Sequence, residues 1–263
     1  MNRRSFAQSV GSAAILSAIP GASWAAPSQG GNPPGKIMAI AAHPGDGLFT
    51  MGAVVAQQIA RGAAGTFLSL SLGERGAPKN IPVPQYGEMQ RTATEKAAQL
   101  LGASAIFLAY PDAEIPFNDE SSLQVCDVIR EQKPEIVITH WSGSWHKDHQ
   151  NCHSIVRDAI FYAGLATLAR SRPPHSVSKV FYADNWEDAT NFVPDTYINV
   201  ERVYEKWLQA CDFFPMWRGQ TGFFRYNDYY SSLSVMRGCL SSFKHAAALM
   251  SDPDQRMQHL PSL

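Results

Sequence analysis

The chain has 263 residues, of which 45% are hydrophobic and 17% charged, with a formal net charge of -1 at pH 7. Such a composition can bury a sizeable core, in one large α/β domain or two small ones. It offers no basic surface for nucleic acid and no acidic tail.

The first predicted element is an export signal. In "MNRRSFAQSVGSAAILSAIPGASWAA", Arg3 and Arg4 precede a mildly apolar stretch from about Val10 to Ile19 and then small residues. The pattern reads as a twin-arginine signal peptide over residues 1–26, with an ordinary Sec signal as the alternative. Either route leads to the periplasm or out of the cell, by the twin-arginine export machinery in the first case. The apolar stretch is too short for a stable membrane span. A Gly/Ser/Pro-rich linker follows over 27–35, and the folded domain is expected over 36–263. Cys126, Cys152, Cys211 and Cys239 form no CxxC pair and read as small apolar residues on helices, although an oxidising compartment permits a disulfide.

"KIMAIAAH" (36–43) is a short apolar run ending in a turn, hence a buried strand. The periodicity predicts a helix over 48–62, a strand over 64–72, an irregular segment over 73–87 and a helix over 88–102. A strand over 105–110, a helix over 121–134 stopped by Pro134, and a strand over 135–140 follow. The next helix is expected from about Asp148 to Arg170. Strands over 176–184 and 196–200 and helices over 201–214 and 229–250 complete the chain. This alternation predicts a single Rossmann-like α/β domain, a mainly parallel sheet with helices on both faces. Such sheets bind ligands beyond the carboxyl ends of their strands, near the switch point.

Two segments at strand ends carry chemistry. "AIAAHPGDGLF" (39–49) sets His43 and Asp46 three residues apart where a strand ends and a helix begins. Turn formation with Asp46 as a helix cap is the plain reading. "THWSGSWHKDHQNCHSIV" (139–156) holds His140, His146, His149 and His153, half of the chain's 8 histidines. A lone histidine there would line a polar groove. The cluster, together with "HPGD" at strand ends of one sheet, points to a metal site. Two imidazoles and a carboxylate with one position left open suit catalytic zinc, and iron(II) accepts the same set. Trp141 and Trp145 flank the histidines and either stack on a sugar ring or pack the loop.

The segments "AAHPGD", "SLGERG", "EMQRTATEKAAQLLGA", "FLAYPD", "PEIVITH", "HKDH" and "RGCLSSFKHAAAL" occur in an order that resembles the PIG-L / LmbE-like deacetylases, over roughly residues 36–250. The resemblance implies an LmbE-like fold and a zinc-dependent enzyme that removes acyl groups from N-acylated amino sugars or related conjugates. It implies that His43, Asp46 and His149 bind zinc. His146 would stabilise the tetrahedral oxyanion or protonate the leaving amine, Asp148 would orient the His146 ring, and Arg91 and Asp112 would contact the sugar.

Two positions depart from the family pattern. Gly45 stands where relatives carry the aspartate that serves as general base, a role worth about 10²–10⁴-fold. Ala247 stands where relatives tend to be acidic. His146, Glu74 and Asp112 are the substitute bases expected to reach the cleft. The alternatives are a zinc-containing glycan-binding protein with impaired catalysis and a metal-dependent enzyme acting on another sugar linkage.

Overall fold

The computed structural model describes residues 34–108, 110–220 and 224–255. The signal peptide expected over 1–26 and the linker up to residue 33 lie outside the described residues. No helix among the described residues is long and apolar enough to cross a membrane.

Seven strands form one sheet in the order β3-β2-β1-β4-β5-β7-β6. They are β1 (Ile37–Ala41), β2 (Gly65–Ser69), β3 (Ser104–Phe107), β4 (Ile136–Thr139), β5 (Lys179–Ala183), β6 (Thr196–Asn199) and β7 (Ala246–Ser251). β1 to β5 pair in parallel, while β7 runs antiparallel to both β5 and β6. The predicted α/β class and mainly parallel sheet are therefore present.

β1 shows why the sheet is covered on both faces. Ile37, Ala39 and Ala41 join one apolar layer with Phe49, Val55, Phe67 and Trp207. Met38, Ile40 and Ala42 join the other with Leu68, Val125, Ile129 and Ile155. Alternate residues of a strand point to opposite faces, so a strand apolar at every position is buried between two layers.

The helices fill those layers. α1 (Pro44–Asp46), a π-helical turn (Gly47–Met51) and α2 (Gly52–Ala60) run on continuously from the end of β1. The wide turn lies directly beyond Asp46, and such turns gather at functional sites. α3 (Val83–Leu101) begins five residues before the expected 88, because Pro84 in its first turn needs no N–H partner. α4 (Asp119–Gln132) starts with an Asn118–Ser121 capping box. α5 (Lys147–Gly164) is shorter than the expected 148–170. The carbonyls of Tyr162, Ala163, Leu165 and Leu168 turn instead onto the Arg130 guanidinium.

α6 (Tyr204–Cys211) agrees with expectation, but the helix over 229–250 does not. α7 (Tyr226–Ser241) stops at Ser242, which takes a left-handed conformation with φ 62. "AAALMS" is then β7, buried between β5 and β6. Alanine favours helix in isolation. Here the vacant place between two strands decides, and Ala247 lies opposite Ile198 in the ladder rather than on a helix. The four cysteines are free thiols, with Cys126, Cys152 and Cys211 buried and Cys239 exposed.

The chain builds β1, β2 and β3 outward, then crosses back to lay β4 beside β1. This is the switch point, where the loops diverge and leave a crevice. His43 follows β1 and His140 follows β4 at that edge.

Candidate metal centre

The crevice is a cleft of about 430 Å³ built from five strand ends. His43, Gly45 and Asp46 enter after β1, Gly73 and Arg75 after β2, Asp112 after β3, Trp145 and His146 after β4, and Glu187 after β5.

Asp46 Oδ2 is the point of convergence. It lies 3.0 Å from His43 Nδ1, 3.1 Å from His149 Nε2 and 3.8 Å from His140 Nε2. Potential ligand atoms fall into three overlapping groups, each within 4.8 Å: His43 with His146 and His149; Asp46 with His140 and His149; and His43 with Asp112 and Asp148. His43 and His149 share one group, Asp46 and His149 another, and the His43 Nδ1–Asp46 Oδ2 contact at 3.0 Å completes the expected set.

His140 is the exception within the cluster. Its Nε2 accepts the Ala42 N–H at 3.1 Å, so its Nδ1–H donates to Asp188 Oδ2 at 2.8 Å. With both nitrogens engaged and the ring buried, it braces the strand ends. His153 likewise donates to the His140 carbonyl at 2.9 Å and packs on Trp141 and Tyr182, away from the cleft.

His149 is held differently. Its Nδ1–H donates to Asp188 Oδ1 at 2.9 Å, which leaves Nε2 aimed at Asp46 Oδ2, 3.1 Å away. A carboxylate behind a histidine in this way fixes the tautomer of a metal ligand. Nε2 of His149 and Nε2 of His43 are buried without a hydrogen-bond partner. Contacts of His43 Nε2 with Asp112 Oδ1 at 3.0 Å and Asp148 Oδ2 at 3.5 Å do not meet hydrogen-bond geometry. Orphaned imidazole nitrogens beside carboxylates are the donor chemistry a divalent cation takes, so the residues fit zinc.

The electrostatics agree. Burial alone would lower the His149 pKa, but the charge of Asp46 and the Asp188 hydrogen bond raise it to about 10. Burial alone would raise the Asp46 and Asp188 carboxyls, yet the imidazoles beside them hold both well below the usual carboxylate range. In metal-free protein the Asp188–His149 pair therefore stabilises the fold fully between about pH 4 and 6.5. The Asp188 share is lost as pH falls below that window. The His149 share is lost as pH rises toward its raised value. A metal on Nε2 must displace the proton held there, so affinity for zinc should climb roughly tenfold per pH unit between pH 6 and 9. Chelator competition across that range measures it, and a flat profile would refute a proton-occupied His149.

His146 caps α5, with its Nδ1 accepting the Asp148 N–H at 3.2 Å. Its pKa is pushed down to about 4, by burial first and by His149 and His43 second. The Asp148 carboxylate does not make the expected contact with the His146 ring. It accepts the Ala113 N–H at 2.7 Å and faces His43, and the ring is oriented by the Asp148 backbone.

Asp112 lines the cleft as expected, accepting the Arg75 N–H at 2.9 Å. Arg91 does not. It lies over the Phe107 ring at 4.7 Å and pairs with Glu88, while Tyr86 and Gln90 are the α3 residues that reach the cleft. Glu74 accepts the Asp112 N–H at 2.8 Å and is absent from the described lining. Trp141 packs the loop, its indole N–H bonded to the Thr190 carbonyl at 2.9 Å. Trp145, 65% exposed, forms the rim with Trp186, and Trp186 stacks on Phe224 at 4.2 Å.

Two site residues were not singled out from sequence. Glu187 lines the cleft with Oε2 3.5 Å from His149 Nε2, and Asp188 supports two histidines. Their signal was available: acids just beyond a strand that neighbours the switch point. Glu187 is pushed up to about 7, by burial first and then by the Asp46 charge.

Fold and cleft together define a Rossmann-like α/β protein with a histidine–carboxylate metal-binding crevice at its switch point. Residues 38–160 match the family described as PIG-L: GlcNAc-PI de-N-acetylase. It is 26% identical to a 1D-myo-inositol 2-acetamido-2-deoxy-alpha-D-glucopyranoside deacetylase 2 from Catenulispora acidiphila, over 63% of this chain and 65% of that protein. It is 27% identical to a diacetylchitobiose deacetylase from Thermococcus kodakarensis, over 66% of this chain and 67% of that one. The chain thus aligns with about two thirds of each relative's length. Its fold is that of a 4-carboxy-2-hydroxymuconate hydratase from Pseudomonas putida, with a TM-score of 0.77 at 20% identity, covering 86% of this chain and 99% of that one.

Proposed function

We propose that the chain is an exported, zinc-dependent hydrolase that removes an acyl group from an N-acylated amino sugar or a related conjugate, cleaving a linear amide bond. The observation that carries this reading is the meeting of His43, Asp46, His146 and His149 at an aromatic-walled cleft on the switch point. The similarity to two deacetylases of N-acetylated sugars supports it. Export rests on the Arg3-Arg4 signal, which would deliver the chain through the twin-arginine machinery.

His43, Asp46 and His149 would hold the metal, with iron(II) served by the same donors. Bound zinc supplies a nucleophilic water near neutral pH and polarises the amide carbonyl. His146 contributes through the place of its proton. Because Nδ1 accepts the Asp148 N–H, the proton sits on Nε2. The depressed pKa keeps the ring neutral at pH 7, so it serves as a neutral N–H donor to the oxyanion. Such a donor is worth about 10²–10³-fold. Trp145, Trp186 and Tyr226 offer ring faces to a sugar, and Asp112 accepts from its hydroxyls.

The test is amine release by the mature zinc-loaded chain across a panel of N-acyl amino sugars, beside His43→Ala. Release should fall by more than about 10³-fold in the variant, whose zinc affinity falls with it. Tight zinc binding without release from any substrate would replace this reading with a glycan-binding protein.

A further inference from the structure

We infer that Glu187 is the catalytic carboxylate that accepts the proton of the attacking water, a role that rests on the hydrolase reading above. Three carboxylates line the cleft among the described residues: Asp46, Asp112 and Glu187. Asp46 Oδ2 is shared between His43 and His149. Asp112 accepts the Arg75 N–H on Oδ2, and its Oδ1 faces His43 Nε2 at 3.0 Å. Glu187 Oε2 lies 3.5 Å from His149 Nε2, beside the nitrogen that would hold the metal. A water drawn to a metal held by that nitrogen would have Glu187 as a neighbouring proton acceptor.

Gly45 itself carries no side chain, and a Cβ there would meet Phe49 Cε2 at 3.1 Å and Met216 Sδ at 3.4 Å. The Glu187 segment is fixed in place. The Glu187 N–H donates to Asn185 Oδ1 at 3.1 Å, its carbonyl accepts the Trp145 N–H at 3.2 Å, and Asn185 Nδ2 reaches Asp46 Oδ1 at 3.3 Å. The Glu187 side chain is 13% exposed, enough for substrate to reach it.

The step balances as a hydrolysis. The water oxygen bonds to the amide carbon while one water proton passes to Glu187. The C–N bond then breaks, the proton passes from Glu187 to the leaving nitrogen, and a carboxylic acid and an amine depart.

The experiment compares the full mature chain with Glu187→Gln and Glu187→Asp, each loaded with zinc for kinetics and with cobalt(II) for visible absorption. Expected are equal metal stoichiometry in all three, a fall in kcat of about 10²–10⁴-fold in Glu187→Gln, and partial recovery in Glu187→Asp. The pH midpoint of the cobalt spectrum should move in Glu187→Gln, since the carboxylate beside the metal is gone. Metal loss in Glu187→Gln would make it a ligand and overturn the inference. Amine release within about threefold of the parent would also overturn it. If the parent releases no amine, the hydrolase reading fails on its own, and an unchanged cobalt midpoint in Glu187→Gln overturns the assignment of Glu187 separately.

Discussion

Replacing Arg130 with leucine should cost about 3–5 kcal/mol of stability, the range for stripping a buried charge from its partners. Arg130 lies in α4 at 1% exposure. Its guanidinium donates to five carbonyls: Ala163 at 3.1 Å, Leu168 at 3.0 Å, Arg172 at 3.2 Å, Tyr162 at 2.9 Å and Leu165 at 2.8 Å. These are the last carbonyls of α5 and those of the turn beyond it, the negative end of the helix dipole. Leucine would strip all five carbonyls of this partner, the Ala163 carbonyl in a buried position. Stability of a domain is typically 5–15 kcal/mol, so the loss is a large fraction. The midpoint of thermal unfolding should fall by roughly 10 °C. Arg130→Lys should recover only part, since one ammonium cannot span five acceptors in a planar fork. Urea unfolding of both variants measures this, and a cost below about 1 kcal/mol would show that the turn relaxes onto water. The consequence reaches the site, because the helix clamped at this end begins at His146.

The same arginine shows where sequence reading stops. Its partners lie 32 to 42 residues away and are all backbone atoms, so no pattern of side chains records them. The ends of β1 and β4 were legible for the opposite reason. A fully apolar run followed by a turn fixes strand and exit together, and two histidine-bearing exits on one sheet imply a shared crevice. "HAAALM" misled because its alanines favour helix locally, while pairing with β5 and β6 is invisible along the chain. Arg91 was displaced by a single position. Gln90 takes the buried face of α3 and points to the cleft, and one residue further round the helix turns Arg91 onto Phe107. Asp188 escaped notice because its role exists only through His140, which follows β4, and His149, in α5.

That role leads to the expectation that Asp188→Asn will harm the metal site at least as much as Asp188→Ala. Asp188 is buried, with Oδ2 taking the His140 N–H at 2.8 Å and Oδ1 the His149 N–H at 2.9 Å. Alanine removes both acceptors. His149 keeps only Ser144 Oγ at 3.4 Å behind it, and zinc affinity should drop about 10–100-fold, as for other carboxylates behind metal-ligating histidines. Asparagine preserves the shape but offers one acceptor and one donor. Its NH₂ must face one of the two imidazole N–H groups, so one ring has to move its proton to Nε2. In His149 that proton blocks the nitrogen aimed at Asp46. In His140 it confronts the Ala42 N–H that Nε2 now accepts. Either outcome disorders the end of β1 that carries His43 or the start of α5 that carries His149. Chelator competition should therefore rank zinc affinity as parent, then Ala, with Asn equal to Ala or below it. An Asn variant that binds zinc like the parent would mean that Asp188 acts through shape alone, and that the tautomer of His149 is set elsewhere.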